Sequence, residues 1–427
     1  MPDNILFLQG PVGPFFKRLG KEFTAHGHNT FKINFNGGDA LFYSNSESTN
    51  FVGTVEEWPN FLNEFIHKHQ IKRIYLFGDC RKYHLLAKKV CANLSTEIHV
   101  FEEGYLRPNY LTLEKDGVNG NSKISRIADN YRQSDRNSLD EDQYSGSGFM
   151  YAAVFAILYY LAALVWRYKF PNYRHHRSMN VLIEGLYWIR GGIRKHVYSI
   201  GERKIRRRLT KQGSSDVFVA ILQVHSDMQV KTHSSFDSIE EFINEIIRSF
   251  SQYASKDARL VLKHHPMDRG YTNYKGVISK LAKHYNTQDR IDYIHEINLP
   301  SLLKNAKGVV TINSTVGLSS LHHGTPIKNL GYAIYDIPGL TYQGGLPEFW
   351  KDTGSIDMDL YERFRAWLMR NNQIRGNFYR NFNRTYSVTG LRWPQLLEDT
   401  HLASLQKPKQ MIRGKLVKPV TSVSSGV

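Results

Sequence analysis

Two adjacent glutamates, Glu102 and Glu103, end a short apolar run and precede Gly104. Side chains alternate along a strand, so only one of the two carboxylates can face a given pocket. A carboxylate at the carboxyl end of a strand, on a glycine turn, is suited to act as a general base or a nucleophile. Arg107 can neutralise it or bind a substrate carboxylate. The alternative is a solvated acidic turn, although carboxylates beside a core need partners.

A second polar group, Lys263-His264-His265-Pro266, follows another strand-like run. The proline favours an extended backbone at His265 and restricts where its ring can point. A lysine and a histidine at a strand end can hold a phosphate and stabilise charge on a leaving nucleotide. A metal-binding histidine pair is the alternative, but adjacent side chains on an extended chain diverge, so we expect no metal here.

Hydroxyl groups form a third candidate site, where Ser314, Thr315 and Gly317 open a helix-like segment. Hydroxyls and free N–H groups at a helix start can bind phosphate, and either hydroxyl can equally be an N-cap. These two interpretations are compatible. Gln223 and Asp227 follow the strand that opens the same half, and their position alone predicts that they line a cleft.

Two weaker candidates lie in the first half of the chain. Gly10 and Gly13 follow the first strand and can let a ligand approach backbone N–H groups, although a tight structural turn explains them almost as well. Asp79 and Arg81 end another strand, where they can orient a substrate. The equally good alternative is an N-cap aspartate and a surface arginine.

Short apolar runs alternate with helical patterns on both sides of a polar linker, which predicts an α/β fold of two Rossmann-like domains facing a cleft. We assign residues 1–135 to the first domain and 216–358 to the second, with the linker and a helical insertion at 136–215, helices at 359–404 and a disordered tail at 405–427. The predicted strands are Ile5–Leu8, Ile71–Phe77, Ile98–Phe101, Val217–Gln223, Arg259–Lys263 and Val309–Ile312. The predicted helices include Trp58–His69, Ile239–Phe250 and Val316–His323.

The insertion is the unusual segment. Phe149–Trp166 contains no charged residue, and Arg167–Lys211 carries 13 Arg or Lys residues against two Glu. A single crossing would put the two α/β halves on opposite sides of a membrane, so we expect an in-plane or re-entrant helical hairpin whose basic residues contact anionic headgroups. A buried hairpin is the alternative. We also expect that deleting residues 149–211 leaves both halves folded.

Composition limits the possible partners. The chain has 427 residues, 41% of them hydrophobic, and a formal net charge of +17, which indicates a polyanionic partner. The basic residues concentrate beside an apolar helix instead of lining a groove with stacking aromatics, which argues against nucleic acid. Two cysteines without a metal-like spacing and the absence of a signal-peptide pattern predict a reduced, cytosolic environment.

Taken together, these motifs resemble the KpsS/LipB-type capsular polysaccharide biosynthesis and export family of Gram-negative bacteria. The likeness spans about residues 5–125 and 217–345. The matching phrases are LFLQGPVGPFFKRL, FGDCRKYH, VFEEGYLRPNYLTLEKDGVNG, KHHPMD and NSTVGLSSLHHGTP.

This resemblance implies a GT-B-like retaining β-Kdo transferase that uses CMP-Kdo as donor and a phosphatidylglycerol-type lipid as acceptor, at the cytoplasmic face of the inner membrane. We expect no cofactor, and no divalent metal is needed if His265, Lys263 and the Ser314 helix start stabilise the phosphate, which agrees with the lack of a compact Asp-rich triplet in the sequence. Other capsule-synthesis enzymes and an export complex are further expected partners. The implied catalytic carboxylate, CMP-phosphate contact and phosphate hydrogen bonds fall on Glu102-Glu103-Gly104, His265-Pro266 and Ser314-Thr315. The apolar insertion departs from the family pattern.

Two alternatives remain at this point. One is another GT-B enzyme, such as a nucleotide-sugar epimerase. The other is a non-catalytic adaptor in polysaccharide export, in which Glu102, Glu103 and His265 could be replaced by alanine without loss of capsule.

Overall fold

A computed structural model describes residues 2–136, 148–175, 181–209, 216–380 and 389–394, without the side chains of residues 181 and 182. The strands are β1 (Asn4–Phe7), β2 (Asn29–Asn34), β3 (Ser48–Asn50), β4 (Ile71–Phe77), β5 (Glu97–Glu103), β6 (Tyr110–Lys115), β7 (Val217–Ile221), β8 (Arg259–Lys263), β9 (Ile291–Ile294), β10 (Gly308–Thr311), β11 (Ile327–Asn329) and β12 (Gln373–Arg375). The helices are α1 (Phe15–Ala25), α2 (Gly37–Phe42), α3 (Trp58–His69), α4 (Lys82–Cys91), α5 (Asp129–Arg132), α6 (Phe149–Val165), α7 (Val181–Gly201), α8 (Arg203–Leu209), α9 (Met228–His233), α10 (Ile239–Tyr253), α11 (Lys275–His284), α12 (Leu299–Lys304), α13 (Val316–His322), α14 (Leu346–Phe349) and α15 (Met358–Asn371).

These strands form two sheets. The first has the order β12-β6-β5-β4-β1-β2-β3, in which β1 to β5 are parallel, β6 pairs antiparallel with β5, and β12 at the edge pairs antiparallel with β6. The second has the order β11-β10-β7-β8-β9 and is entirely parallel. The predicted α/β class with two Rossmann-like units is therefore confirmed.

Local sequence explains most of these elements. Every residue of β7 is buried, as expected for a parallel strand covered by helices on both faces. In α10 the buried residues recur at helical spacing, and the hydroxyl of Ser238 accepts a hydrogen bond from the backbone N–H of Glu241 (3.2 Å). Hydrophobic patterning and caps together fix where such elements begin.

The two units are joined by more than their linker. Tyr105 and Leu106, which follow β5, are buried in the same apolar cluster as Val219 and Val261 of the second sheet. At the other end, β12 pairs with β6 and returns the chain to the first sheet. Both connections tie the two units to each other.

The predicted C-terminal helices at 359–404 are correct only in part. A helix covers Met358–Asn371, whereas Gln373–Arg375 is a strand, and residues 376–380 and 389–394 are not helical. Residues 395–404, the tail at 405–427 and most of the polar linker (137–147) lie outside the described residues.

The insertion is helical, as predicted, and consists of α6, α7 and α8. Tyr159 is buried, while much of the remaining apolar surface of α6 and α7 is exposed. Among the helices that the structure describes, none combines the length and apolar character needed to cross a membrane.

Candidate functional site

Glu102 lies at the carboxyl end of β5, beside the end of β4. A methyl group on Gly78, whose φ is +72°, would lie 3.7 Å from both Arg81 Nε and Glu102 Oε2, so the guanidinium and the carboxylate converge above this glycine. Burial raises the pKa of Glu102 to about 7, and the neighbouring carboxylates of Glu103 and Asp79 act in the same direction. The hydrogen bond from the Glu103 N–H to Glu102 Oε1 (3.0 Å) and the charge of Arg81 oppose this shift only partly.

Glu103 points to a different set of partners, as strand alternation requires. Its Oε1 accepts a hydrogen bond from the hydroxyl of Tyr379 at 3.3 Å. Burial raises the pKa of Glu103, and the exposed guanidinium of Arg107 lowers it. The two carboxylates therefore have distinct environments, with Arg81 near one and Tyr379 and Arg107 near the other.

His265 follows β8 in the second unit and caps the short 3₁₀ turn Pro266–Asp268. Its Nδ1 accepts a hydrogen bond from the Met267 N–H (3.2 Å), so the proton of the neutral ring lies on Nε2. Burial lowers the pKa of His265 to about 4, with a further contribution from Lys263 and with Asp268 opposing the shift. At neutral pH this imidazole is an uncharged hydrogen-bond donor.

A buried aspartate holds the His265 turn in place. Asp268 is fully buried and accepts hydrogen bonds from His225 Nδ1 (2.5 Å) and Thr272 Oγ1 (2.7 Å). Its Oδ2 also accepts the His225 backbone N–H at 3.2 Å. The loops after β7 and β8 are thereby tied together, and the exposed ring of His225 lies next to the turn that carries His265.

The predicted phosphate site, with the hydroxyls of Ser314 and Thr315, follows the end of β10. Ser314 Oγ accepts the Val316 N–H at 3.2 Å, while Thr315 is the N-cap residue of α13 but makes no side-chain cap. Gly317 is required for packing, since a Cβ there would lie 2.1 Å from the hydroxyl of Tyr335.

Gln223 and Asp227 join this region to the end of β7. Gln223 Nε2 donates to Asp227 Oδ2 (3.1 Å) and to Asn313 Oδ1 (3.0 Å), and Gln223 Oε1 accepts the Asn313 N–H. Asp227 caps α9 and acts electrostatically on His265. The structure thus brings the predicted residues of the second half to one edge of its sheet, where Gln223 is buried and serves mainly to connect the strand ends.

Arg107 follows β5, where its Nε donates to the carbonyl of Gly104 (3.3 Å). Its charge is one of the influences that lower the pKa of Glu103 and of His265. Direct contacts between the halves lie nearby: Gln229 Nε2 donates to Cys80 Sγ (3.8 Å), and Gly120 packs against the ring of His233. The loop after β4 and the helix after β7 therefore contact each other across the two units.

Several sequence predictions need correction. Asp79 is fully buried, and its Oδ2 accepts hydrogen bonds from Asn121 Nδ2 (2.8 Å) and Lys88 Nζ (3.4 Å). The prediction that Asp79 contacts the substrate is therefore wrong. The N-cap alternative is wrong as well, because the N-cap residue of α4 is Arg81. Lys263 Nζ is buried and donates to the carbonyls of His264 and His295 (2.8 and 2.7 Å), which makes it a support for two strand ends.

The glycine predictions also change. Gly13, at φ +109°, is covered by Phe155, and Gly10 packs against Phe16, so these glycines allow close packing and leave little room for a ligand. Gly104 permits the tight approach of β5 to the backbone of Tyr110. The carbonyl of Gly10 accepts a hydrogen bond from Arg81 Nη1 (3.4 Å).

Sequence reasoning missed Tyr379, Asn313 and Asp268. Tyr379 reaches Glu103 from 276 positions away, and no local pattern signals this contact. Asp268 could have been noticed, because it stands in the same KHHPMD phrase as His265.

Within the described ranges, no group of three or more His, Cys, Asp or Glu side chains is arranged to hold a metal ion. His264 and His265 diverge as predicted, since the Nδ1 of His264 is within hydrogen-bond distance of the Tyr293 hydroxyl (2.7 Å), away from the His265 cap.

Comparison with known proteins adds independent information. A family model described as capsule polysaccharide biosynthesis protein matches residues 72–379. The capsule polysaccharide export protein KpsS of Escherichia coli is 39% identical over 374 residues, covering 88% of this chain and 96% of the relative. The capsule polysaccharide modification protein LipB of Neisseria meningitidis serogroup B is 39% identical over 388 residues, covering 88% and 92%. A solved structure of Thermosulfurimonas dismutans KpsC, a β-Kdo 2,7 transferase, aligns with 17% identity and a TM-score of 0.42 over 85% of this chain and 89% of that one.

Proposed function

Because the chain belongs to the capsule polysaccharide biosynthesis protein family, we propose that it is a retaining glycosyltransferase that moves Kdo from CMP-Kdo to a phosphatidylglycerol-type lipid. One observation carries this proposal. The carboxylates at the end of β5 and the imidazole after β8 both stand at strand ends, and the charge of Arg107 lowers the pKa of Glu103 and of His265. This arrangement supplies a negative group for the sugar and hydrogen-bond donors for the nucleotide phosphate.

The second unit would bind the leaving nucleotide. His265 Nε2–H donates to the phosphate of CMP, and the Ser314 turn provides further hydrogen bonds at the adjacent strand end. The bond between the anomeric carbon and the phosphate oxygen breaks, and CMP leaves with the bonding electrons. Donors fixed in advance toward this developing charge stabilise the transition state without a divalent metal.

The first unit would act on the sugar. One glutamate attacks the anomeric carbon to form a glycosyl-enzyme ester, which the acceptor hydroxyl then displaces, so the configuration is retained. Alternatively, the same carboxylate takes the proton of the acceptor hydroxyl as a general base, and the configuration is retained only if the acceptor attacks from the face that CMP leaves. The raised pKa of Glu102, about 7, suits a base that must gain and lose a proton near neutral pH.

The helical insertion supports a location at the membrane surface. Its exposed apolar helices and the basic residues beside them support binding to the cytoplasmic face of the inner membrane, where a lipid acceptor is available. We therefore include the membrane surface and an anionic lipid among the proposed partners, and we regard the protein as peripheral or monotopic.

Mass spectrometry of the lipid after incubation with CMP-Kdo and phosphatidylglycerol or its lyso form tests the proposal, with EDTA present. We expect a mass increase of one or more Kdo residues together with release of CMP. Lys280→Gln, at an exposed position on α11, serves as the folded control, whereas Glu102→Gln should lower product formation by about 1,000-fold or more. If neither lipid gains mass, and cells carrying Glu102→Ala or His265→Ala still make capsule, the adaptor alternative replaces this proposal.

A further inference from the structure

The helices of the insertion are attached to different halves of the molecule. Helix α6 packs on the first unit, where the hydroxyl of Tyr159 accepts hydrogen bonds from Gln9 Nε2 (2.9 Å) and Asn36 Nδ2 (2.7 Å) and donates to Asp39 Oδ1 (3.0 Å). All three partners follow β1 or β2 at the carboxyl edge of the first sheet. This buried tyrosine fixes α6 to that edge.

Glycines bring α6 into close contact with the same unit. A methyl group on Gly37 would lie 2.3 Å from the carbonyl oxygen of Ala162, and one on Gly38 would lie 2.5 Å from the Tyr159 ring. The segment after α6 continues on this unit, since Asn172 Nδ2 donates to the carbonyl of Val52 (2.9 Å). Helix α6 is therefore part of the first half.

Helix α7, in contrast, is bound to the second unit through two arginines. Arg190 Nε donates to the Gly270 carbonyl (2.6 Å) and its Nη2 to that of Tyr271 (3.0 Å), while Arg194 Nη1 donates to the carbonyl of Arg269 (2.9 Å). The hydroxyl of Tyr271 also donates to Glu184. Charged donors on buried carbonyls make strong, directional contacts.

The end of α7 is attached as well. Glu202 accepts hydrogen bonds from the N–H and Nδ1 of His295 (2.9 and 2.8 Å) and from the N–H of Glu296 (2.8 Å), and the ring of Tyr198 stacks on His295 at 3.7 Å. The carbonyl of His295 in turn accepts from Lys263 Nζ. Helix α7 therefore spans the carboxyl ends of β8 and β9.

The loop that α7 binds is continuous with the His265 turn. Residues 269–272 follow directly on Asp268, and the hydroxyl of Thr272 donates to Asp268, the residue that holds His225 and the turn. The backbone N–H groups of Tyr271 and Thr272 both donate to the Asp268 carbonyl. A displacement of α7 would therefore move the turn that presents His265.

Each helix exposes an apolar face. The exposed apolar residues of α6 are Phe149, Met150, Tyr151, Val154, Ile157, Leu158, Leu161, Leu164 and Val165, and those of α7 are Ile183, Leu186, Trp188, Ile189, Ile193, Val197 and Ile200. Exposed basic residues accompany them, among them Arg167, Lys169, Lys195 and Lys204. Apolar faces bordered by lysine and arginine fit an anionic bilayer.

We propose, resting on the transferase function above, that an anionic bilayer binding α6 and α7 at once fixes the two halves in the orientation that sets the β5 carboxylates against His265, with Arg190 and Arg194 as positioning residues. A flat surface that contacts one helix from each half binds best when both faces are coplanar. Binding therefore shifts the population toward that orientation. Membrane binding in this way prepares the site as well as locating it.

Spin-label distance measurements between the halves test the proposal without turnover. Labels at Asn63 in α3 and Lys280 in α11, both exposed, are introduced in a Cys80→Ser/Cys91→Ala background. Vesicles of phosphatidylserine and phosphatidylcholine are the probe, because phosphatidylserine supplies negative charge without the proposed acceptor headgroup. We expect the distance distribution to narrow at least twofold on these vesicles and to stay unchanged with phosphatidylcholine alone.

The Arg190→Gln/Arg194→Gln variant should still bind the vesicles, but its spin-label distance distribution should not narrow. Vesicles should also no longer protect its Tyr271 and Thr272 amides from hydrogen exchange. Lys195→Gln removes an exposed charge from the same helix and should behave like the wild type. Glu184→Gln, a milder change at the same loop, gives an intermediate loss if the double variant does not fold. An unchanged distribution in vesicle-bound wild type would overturn the proposal, and so would identical behaviour of the double variant and Lys195→Gln. Narrowing of the distance distribution on these vesicles, together with no Kdo transfer to phosphatidylglycerol in the mass-spectrometric assay, would contradict only the transferase function.

Discussion

At the residue scale, Glu102 combines a chemical task with surroundings that oppose its ionisation. Its pKa is raised to about 7, chiefly by burial, so the fraction of the reactive carboxylate changes steeply near neutrality. We predict that transfer falls about tenfold per pH unit below about 7. Replacement by glutamine should lower transfer by about 1,000-fold or more. CMP release measured from pH 5 to 9 checks both, and a rate independent of pH in this range would contradict the role.

The same shift affects stability. The unfolded Glu102 carboxyl ionises near 4.5 and the folded one near 7, so the free energy of unfolding falls as pH rises through this window and stays lower above it. Glu102→Gln should therefore be more stable than the wild type at pH 8 by about 1–2 kcal/mol, and similar to it at pH 4.5. Urea denaturation at the two pH values measures this difference. Equal or lower stability of the variant at pH 8 would contradict the burial of the charge.

Tyr379 is a positioning residue for Glu103. Its hydroxyl donates to Oε1 and lowers the carboxyl pKa, so Tyr379→Phe should move the part of the pH–rate profile that depends on Glu103 to higher pH. We expect about a tenfold loss of kcat with KM for the donor little changed. Tyr253→Phe, on the exposed side of α10, is the matched control. A loss of kcat without a shift of the profile would contradict the assignment.

Predictions of where a residue lies were correct when its position depends only on where its own strand ends. Glu102, Glu103 and His265 were placed at strand ends by local patterns of apolar residues, and the structure has them there. Asp79 was wrong because its partners Lys88 and Asn121 come from other elements and enclose it completely. Side-chain burial at a strand end depends on such neighbours, which a single stretch of sequence does not reveal.

At the scale of elements, prediction succeeded when apolar spacing and a terminating residue agreed. The bounds of α3 and β8 match the predicted ones residue for residue. The strand Gln373–Arg375 was missed because it exists through pairing with β6, more than 250 positions away, and its aromatic-rich surroundings suggested a helix. Short edge strands of this kind depend on tertiary contacts more than on their own composition.

The helix after β10 offers an element-level test. Gly317 leaves room for the hydroxyl of Tyr335, which donates to the Ser314 carbonyl at 2.5 Å, and a Cβ would lie 2.1 Å from that hydroxyl. Gly317→Ala should cost about 2 kcal/mol of stability and raise the KM for the CMP-sugar, because the Ser314 turn must shift. Gly276→Ala in α11, where a Cβ meets nothing within 4 Å, should be neutral or stabilising. Equal effects of the two substitutions would contradict the packing argument.

At the scale of the whole molecule, the insertion is a structural part of both units. The sequence suggested an appendage that could be removed, but Tyr159 supplies hydrogen bonds to buried groups of the first sheet and Glu202 does so for the second. Losing these partners would leave unsatisfied polar groups at Asp39 and at the end of β9. Each such group would lower the free energy of unfolding by about 1–3 kcal/mol. The expectation that both halves stay folded without residues 149–211 therefore conflicts with the contacts.

A comparison of two variants separates folding from membrane binding. Deleting residues 149–211 should abolish a cooperative thermal transition, whereas Leu186→Ser/Ile189→Ser/Ile193→Ser changes side chains that are each at least 61% exposed and should leave Tm within a few degrees. Removing three apolar side chains from the interface should weaken vesicle binding by about 100-fold or more, since each buried side chain contributes about 1.5–3 kcal/mol when fully removed from water. Cosedimentation with anionic vesicles and differential scanning calorimetry give the two quantities. A deletion variant that melts like the wild type would show that α6 and α7 are dispensable to the fold, and unchanged vesicle binding of the triple variant would remove this face from the membrane contact.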